Sequence, residues 1–187
     1  MQRRDLLKLI AAATGLAMVG IEIHAAEQPV VAAEAALQAK DIPLLDEIAE
    51  TILPATLTPG AKAAGCGAVM AKLVNDCYTP QHQQLIKDGL LQLLAGTRRQ
   101  FGQQFLQLSL AERTAYLQSL DQQAKVADQA AAGQSLHYFT LLKQLALFSF
   151  FSSEVGCTQV LRHVAVPGKY IGDLPYKKGD RAWALGG

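Results

Sequence analysis

The sequence predicts an all-α protein: a single helical domain of about five to seven helices, with an N-terminal signal segment before it and an extended C-terminal tail after it. Three observations support this. Alanine, leucine and glutamine are abundant while aromatics make up only 6% of the chain, a composition that favours helix. Apolar residues recur at helical spacing through the middle of the chain, and no strand alternation persists anywhere. From Val166 to Trp183, prolines at 167 and 175 and glycines at 168, 172 and 179 forbid a helix or a central strand. At 187 residues, half of them apolar, the chain suffices for one buried domain and is too short for two. A net charge of +1 argues against a nucleic-acid partner, whose affinity would come from an excess of Lys and Arg.

The chain opens on Arg3-Arg4-Asp5-Leu6-Leu7-Lys8, followed by an apolar run from Leu9 to Ile21 and small residues at Ala25-Ala26. That is the layout of a twin-arginine export signal over residues 1–26. Arg3 and Arg4 are its recognition element and the twin-arginine translocation machinery its partner, with a periplasmic destination. The run falls short of the ~20 apolar residues that a membrane span needs. Neither Ile23-His24-Ala25 nor His24-Ala25-Ala26 is a clean cleavage site, and a retained anchor is the competing reading. Residues 27–40 are alanine-rich, weakly patterned and linker-like.

The helical domain spans 41–165. Ile42, Leu44, Leu45, Ile48, Ile52 and Leu53 form a helical stripe, with Asp46, Glu47 and Glu50 on a face read as solvated. Pro54 ends it, and Pro59 keeps the following segment a loop. A second helix is predicted from Ala68 to Tyr78, with Val69, Leu73 and Cys77 on its apolar line. Thr79-Pro80 is a helix start, and Ile86, Leu90, Leu93, Leu94 and Phe101 give that helix its core face. Ser109-Leu110-Ala111-Glu112 matches a capping box and opens a helix through Tyr116 and Leu120. Gln122 to Ala132 reads as an exposed helix stopping at Gly133. Leu136 to Phe151 is apolar all round, so it lies central in a core or between the core and a partner. Ser152 or Ser153 caps a shorter helix through Val160 and Arg162.

The tail, 166–187, carries Tyr170, Tyr176 and the single tryptophan, Trp183, residue types that anchor interfaces. Lys177, Lys178 and Arg181 suit the rim of such an interface. Two readings stand: a tail folded back on its own domain, or an arm laid across another protein.

Little points to chemistry within the chain. No dinucleotide fingerprint, phosphate loop, HExxH or CxxCH motif occurs. Cys66, Cys77 and Cys157 lack metal-ligand spacing. His137 reads as structural and His82 as solvated, so catalysis by this chain alone is not expected. The twin-arginine route carries folded proteins, which places a cofactor in a partner exported along with this chain. In an exported protein an odd number of thiols leaves at least one for a second chain or for reactivity, and Cys157, just before the tail, is the candidate for an inter-subunit disulfide. Cys66 and Cys77 either pair with each other or are each buried thiols. The competing readings are a self-standing membrane-anchored structural protein and a thiol-based redox protein.

Leu45-Asp46-Glu47-Ile48-Ala49-Glu50-Thr51-Ile52-Leu53-Pro54-Ala55-Thr56, Thr58 to Gly65, Asn75-Asp76-Cys77-Tyr78 and Phe151 to Arg162 occur in this order. With Pro175-Tyr176-Lys177-Lys178-Gly179-Asp180-Arg181-Ala182-Trp183, they resemble the gluconate 2-dehydrogenase subunit 3 family, the tail being the most specific part. The resemblance implies a non-catalytic small subunit that holds no cofactor and supplies the export signal for a large flavoprotein dehydrogenase. That partner is of the glucose-methanol-choline type and holds FAD, in some relatives with an iron-sulfur cluster; a multihaem cytochrome c, bearing haem c, takes the electrons in many of these complexes. It also adds Pro175 and Asp180 to the expected partner interface.

Overall fold

The structure is a computed structural model that describes residues 36–132, 136–166, 168–169 and 172–184. The signal segment, including Arg3 and Arg4, and also Gly133 and Tyr170, lie outside the described residues. Five α-helices occur among them: α1 (Ile42–Ile52), α2 (Cys66–Cys77), α3 (Pro80–Phe101), α4 (Leu110–Ala130) and α5 (Tyr138–Phe151). Short 3-10 turns lie at Ala39–Asp41, Lys62–Ala64 and Phe105–Gln107, and a π-helical turn at Gly156–Val160. No strand occurs among the described residues, in accord with the all-α expectation; one isolated bridge joins Arg162 to Trp183.

The most apolar segment is the axis of the fold. α5 packs against α1, α2, α3 and α4, and buries Phe139, Leu141, Leu142, Leu145, Ala146 and Phe150. Around it stand Leu45 and Ile48 of α1, Met70 and Val74 of α2, Ile86 and Leu93 of α3, and Leu117 and Leu120 of α4. Burying a side chain of this size contributes roughly 1.5–3 kcal/mol, so this one cluster carries most of the fold's driving force.

The starts of the helices follow the sequence signals. The Thr79 hydroxyl accepts from His82 N–H at 3.4 Å, with Pro80 at the first helical position. Ser109 and Glu112 form the reciprocal capping box, and the hydroxyl and N–H of Ser109 hold the Glu112 carboxyl below its ordinary range. His137 caps α5, its Nδ1 accepting from Phe139 N–H at 3.2 Å. Beside it, the Asp128 carboxylate accepts from the Thr140 hydroxyl and from His137 N–H, each at 2.6 Å. Those bonds, the hydroxyl's first, lower the Asp128 pKa. Asp121 is lowered too, by hydrogen bonds from Lys125 and Lys143. The stability these carboxylates contribute is therefore present above the unfolded aspartate pKa of about 4 and is lost as pH falls through the lower folded values.

Four expectations need correction. The acidic residues of α1 are not a solvated face; they hold the segment that follows. Asp46 accepts from Gly67 N–H at 2.7 Å, Glu50 accepts from Ala55 N–H and Lys62 N–H at 3.0 and 2.8 Å, and Glu47 pairs with both Lys62 and Arg113. Second, α2 turns Cys66, Met70, Ala71 and Val74 inward, while Val69 and Cys77 are exposed. Two apolar lines exist on that helix, and Asp46 decides between them by gripping Gly67, where a Cβ would sit 2.6 Å from the carboxylate. Third, Gln122 to Ala130 continues α4 without a break, and the chain leaves the helix through Ala132 at φ 48°. Fourth, the short helix after Ser153 is a π-helical turn from Gly156 to Val160. Ser153 does cap it, its Oγ accepting from Gly156 N–H at 2.9 Å.

Glu47 and Arg113 are each about 15% exposed, with side-chain values of 16% and 14%. Glu47→Ala strands a mostly buried guanidinium, and is expected to lower unfolding stability by about 2–3 kcal/mol. The urea midpoint should fall with the slope unchanged; an unmoved midpoint would show that the pair adds nothing net.

Candidate partner interface

A helix whose every face is apolar cannot hide all of them. Successive residues on α5 are about 100° apart, so of Phe148, Phe150 and Phe151 only some can face the core. Phe150 is buried, whereas Phe148 is 61% and Phe151 38% exposed. Those two are three residues apart and share a stripe at the end of the helix. The segment is therefore central, the first of its two alternatives, and its end is bare.

Beyond that end the chain turns and runs out as an arm. Among the described residues it is pinned at Arg162. Arg162 N–H donates to Ala182 O at 2.8 Å and Ala184 N–H donates to Arg162 O at 2.9 Å, while the Arg162 guanidinium lies over the Trp183 ring, 4.1 Å from its centroid. The segment between is thus a closed loop whose two ends meet. At its tip Asp180 N–H donates to Lys177 O at 2.9 Å, and Lys177 N–H donates to the Asp180 carboxylate at 2.8 Å. Gly179, at φ 99°, supplies the left-handed position this turn requires.

The residues expected at the interface sit on this arm. Pro175, Lys177, Lys178, Asp180 and Arg181 are exposed, as are Tyr176 at 75% and Trp183 at 46%. The tail folds back on the chain at Trp183, as the first of its two readings has it, while residues 172–182 are exposed. Asp180 holds the turn, and Trp183 holds the closure. Val164, Val166 and Leu174 add exposed apolar surface along the same arm. Arg162 and the Phe148/Phe151 stripe were missed from sequence; three phenylalanines within four helical positions were the available signal for the stripe.

All three cysteines are free. Cys66 is buried, and burial, followed by the charges of Asp46 and Glu50, pushes its thiol pKa up to about 11, which leaves it protonated and unreactive. Cys66 and Cys77 are the first and last residues of the 12-residue α2. At 1.5 Å rise per residue they stand about 16 Å apart, so the pairing considered for them is excluded. Cys157 lies in the π-helical turn, half-buried, its Sγ donating to Phe151 O at 3.2 Å.

Clefts lie elsewhere on the described residues. One, of about 180 Å³, is lined by Thr51, Leu117, Phe139, Asp121 and Lys143, the last two joined at 2.7 Å. A more polar groove of about 430 Å³ runs past Gln92, Arg99, Gln100 and Gln123. Among the described residues no group of three His, Cys, Asp or Glu is placed to hold a metal ion, and no helix is long and apolar enough to cross a membrane.

A sequence profile described as gluconate 2-dehydrogenase subunit 3 matches residues 39–168. No curated protein and no solved structure matches the chain. The matched residues run from the turn before α1 to the root of the arm, leaving out the signal segment and most of the tail. The tail, taken above as the most specific part of the resemblance, therefore rests on its own residues. The match covers the whole helical body, including the acidic clamp of α1 and the π-helical turn, and the chain belongs to the gluconate 2-dehydrogenase subunit 3 family, the small subunits of multisubunit dehydrogenases with a larger catalytic partner.

Proposed function

We propose that this chain is the non-catalytic small subunit of a periplasmic FAD-dependent dehydrogenase of the glucose-methanol-choline type, oxidising a sugar, sugar acid, glycoside or polyol. In this reading the chain carries the twin-arginine signal for itself and its partner and supports the partner's maturation. FAD, with an iron-sulfur cluster where one is present, belongs to the large subunit, and haem c to a cytochrome that accepts the electrons. The observation that carries the reading is the arm: a loop pinned at Arg162 and Trp183 that exposes aromatic and basic side chains. Such surface costs free energy in water and is recovered on docking. The bare Phe148/Phe151 stripe, five to eight residues before the π-helical turn that leads to the arm, supports it.

The test is a division of labour. The isolated chain is expected to show no sugar-dependent dye reduction and no flavin or haem absorbance, while the complex shows both; activity in the isolated chain would overturn the proposal. Cys157 is the thiol assigned to an inter-subunit disulfide, being close to the arm and half-accessible. On non-reducing gels Cys157→Ser should abolish a linked band that the native complex shows, and a band that persists would assign the link to the exposed Cys77.

A further inference from the structure

We propose that Leu57 is a preformed anchor that seats in an uncharged apolar socket on the larger catalytic subunit, an inference that rests on the reading above. Leu57 is fully exposed, the most exposed of the large apolar side chains among the described residues. A leucine in that position contributes nothing to the core. The loop that presents it is nevertheless held from both sides.

Ala61 N–H donates to Leu53 O at 3.0 Å and closes the loop, and Thr56 N–H donates to Thr58 O at 2.9 Å across its tip. Glu50 reaches from α1 and takes one donor on each flank, Ala55 N–H at 3.0 Å and Lys62 N–H at 2.8 Å. Pro54 and Pro59 fix two further backbone angles. A tip ordered in advance loses little conformational freedom on docking, so more of the leucine's burial appears as affinity.

The chemistry of the tip selects the occupant. From Thr51 to Ala61 the chain carries no charged residue, in a protein that is 18% charged. A charged surface would gain nothing from it. Lys62, the cation at the loop's end, is already paired with Glu47, so the tip lacks the free positive flank that draws an amphipathic segment to an anionic bilayer. A neutral apolar pocket on a protein is what remains, and the catalytic partner implied by the family is the protein at hand.

The full chain, tagged and co-expressed with the large dehydrogenase subunit of its own host, is purified as wild type, Leu57→Ala, Leu57→Asp and Glu50→Ala. Recovery of the large subunit per small subunit is expected to fall about ten-fold or more for Leu57→Asp and several-fold for Leu57→Ala. Glu50→Ala, which loosens the loop, should also fall several-fold with Leu57 intact. The thermal midpoints of both Leu57 variants should match wild type. A photo-crosslinking residue at position 57 should label the large subunit. Equal recovery with Leu57→Asp, or crosslinking only to a second copy of this chain or to co-purified lipid, overturns the inference and leaves the subunit reading standing. Failure of the wild-type chain to recover the large subunit removes both.

Discussion

Gly156→Ala is expected to lower the thermal midpoint by roughly 6–12 °C, the equivalent of about 3 kcal/mol in a chain of this size. Gly156 is buried where the chain doubles back over the end of α5, and a Cβ there would lie 2.0 Å from Phe150 O and 2.9 Å from its carbonyl carbon. No side-chain rotation relieves a clash with backbone. The π-helical turn must move, and with it the bonds that define it: Ser153 Oγ accepting from Gly156 N–H at 2.9 Å, and Leu161 N–H donating to Gly156 O at 2.9 Å. Arg162 follows Leu161 directly, so the displacement reaches the clamp on Trp183. That residue is the single tryptophan of the chain, and its emission should shift to the red as the guanidinium leaves the ring. A variant with native midpoint and native emission would show that the turn is not what positions the arm.

Much of this architecture is legible in the sequence, and the exceptions share a cause. Helix existence followed from apolar spacing and caps: Thr79-Pro80 and Ser109 with Glu112 begin helices where they were expected, and the apolar run from Leu136 is a helix from Tyr138. Tertiary contacts were not legible. Asp46, Glu47 and Glu50 look like a wetted face because a helix reading gives them no partners. Their partners are the N–H groups of residues 55, 62 and 67 and the side chains of Lys62 and Arg113. The same blindness chose the wrong side of α2, where Val69/Leu73/Cys77 and Cys66/Met70/Val74 are equally apolar and only the grip on Gly67 separates them. The sequence singled out the arm, from its aromatic and basic residues, as the expected interface. It gave no sign that Arg162 and Trp183 would tie the arm at its base, or that Leu57 would stand fully clear of the core.

The larger functional effect is expected from the arm. Ending the chain at Val166 removes Tyr176, Lys177, Lys178, Arg181 and Trp183 together while leaving α1 to α5 intact. Among the described residues no buried core residue lies beyond Phe150, and Val160, which packs against the core, is retained, so the helical body should keep its helix content and most of its stability. What it loses is the exposed aromatic surface, and with hot-spot residues of this kind recovery of the large subunit should drop by about two orders of magnitude. The decisive measurement is therefore the amount of large dehydrogenase subunit that co-purifies with the chain ended at Val166, compared with the full chain under the same conditions and with helicity checked in both. Near-complete loss with an intact helical signal is the expected result; full recovery of the large subunit by the truncated chain would contradict the claim that this protein grips its partner through its arm.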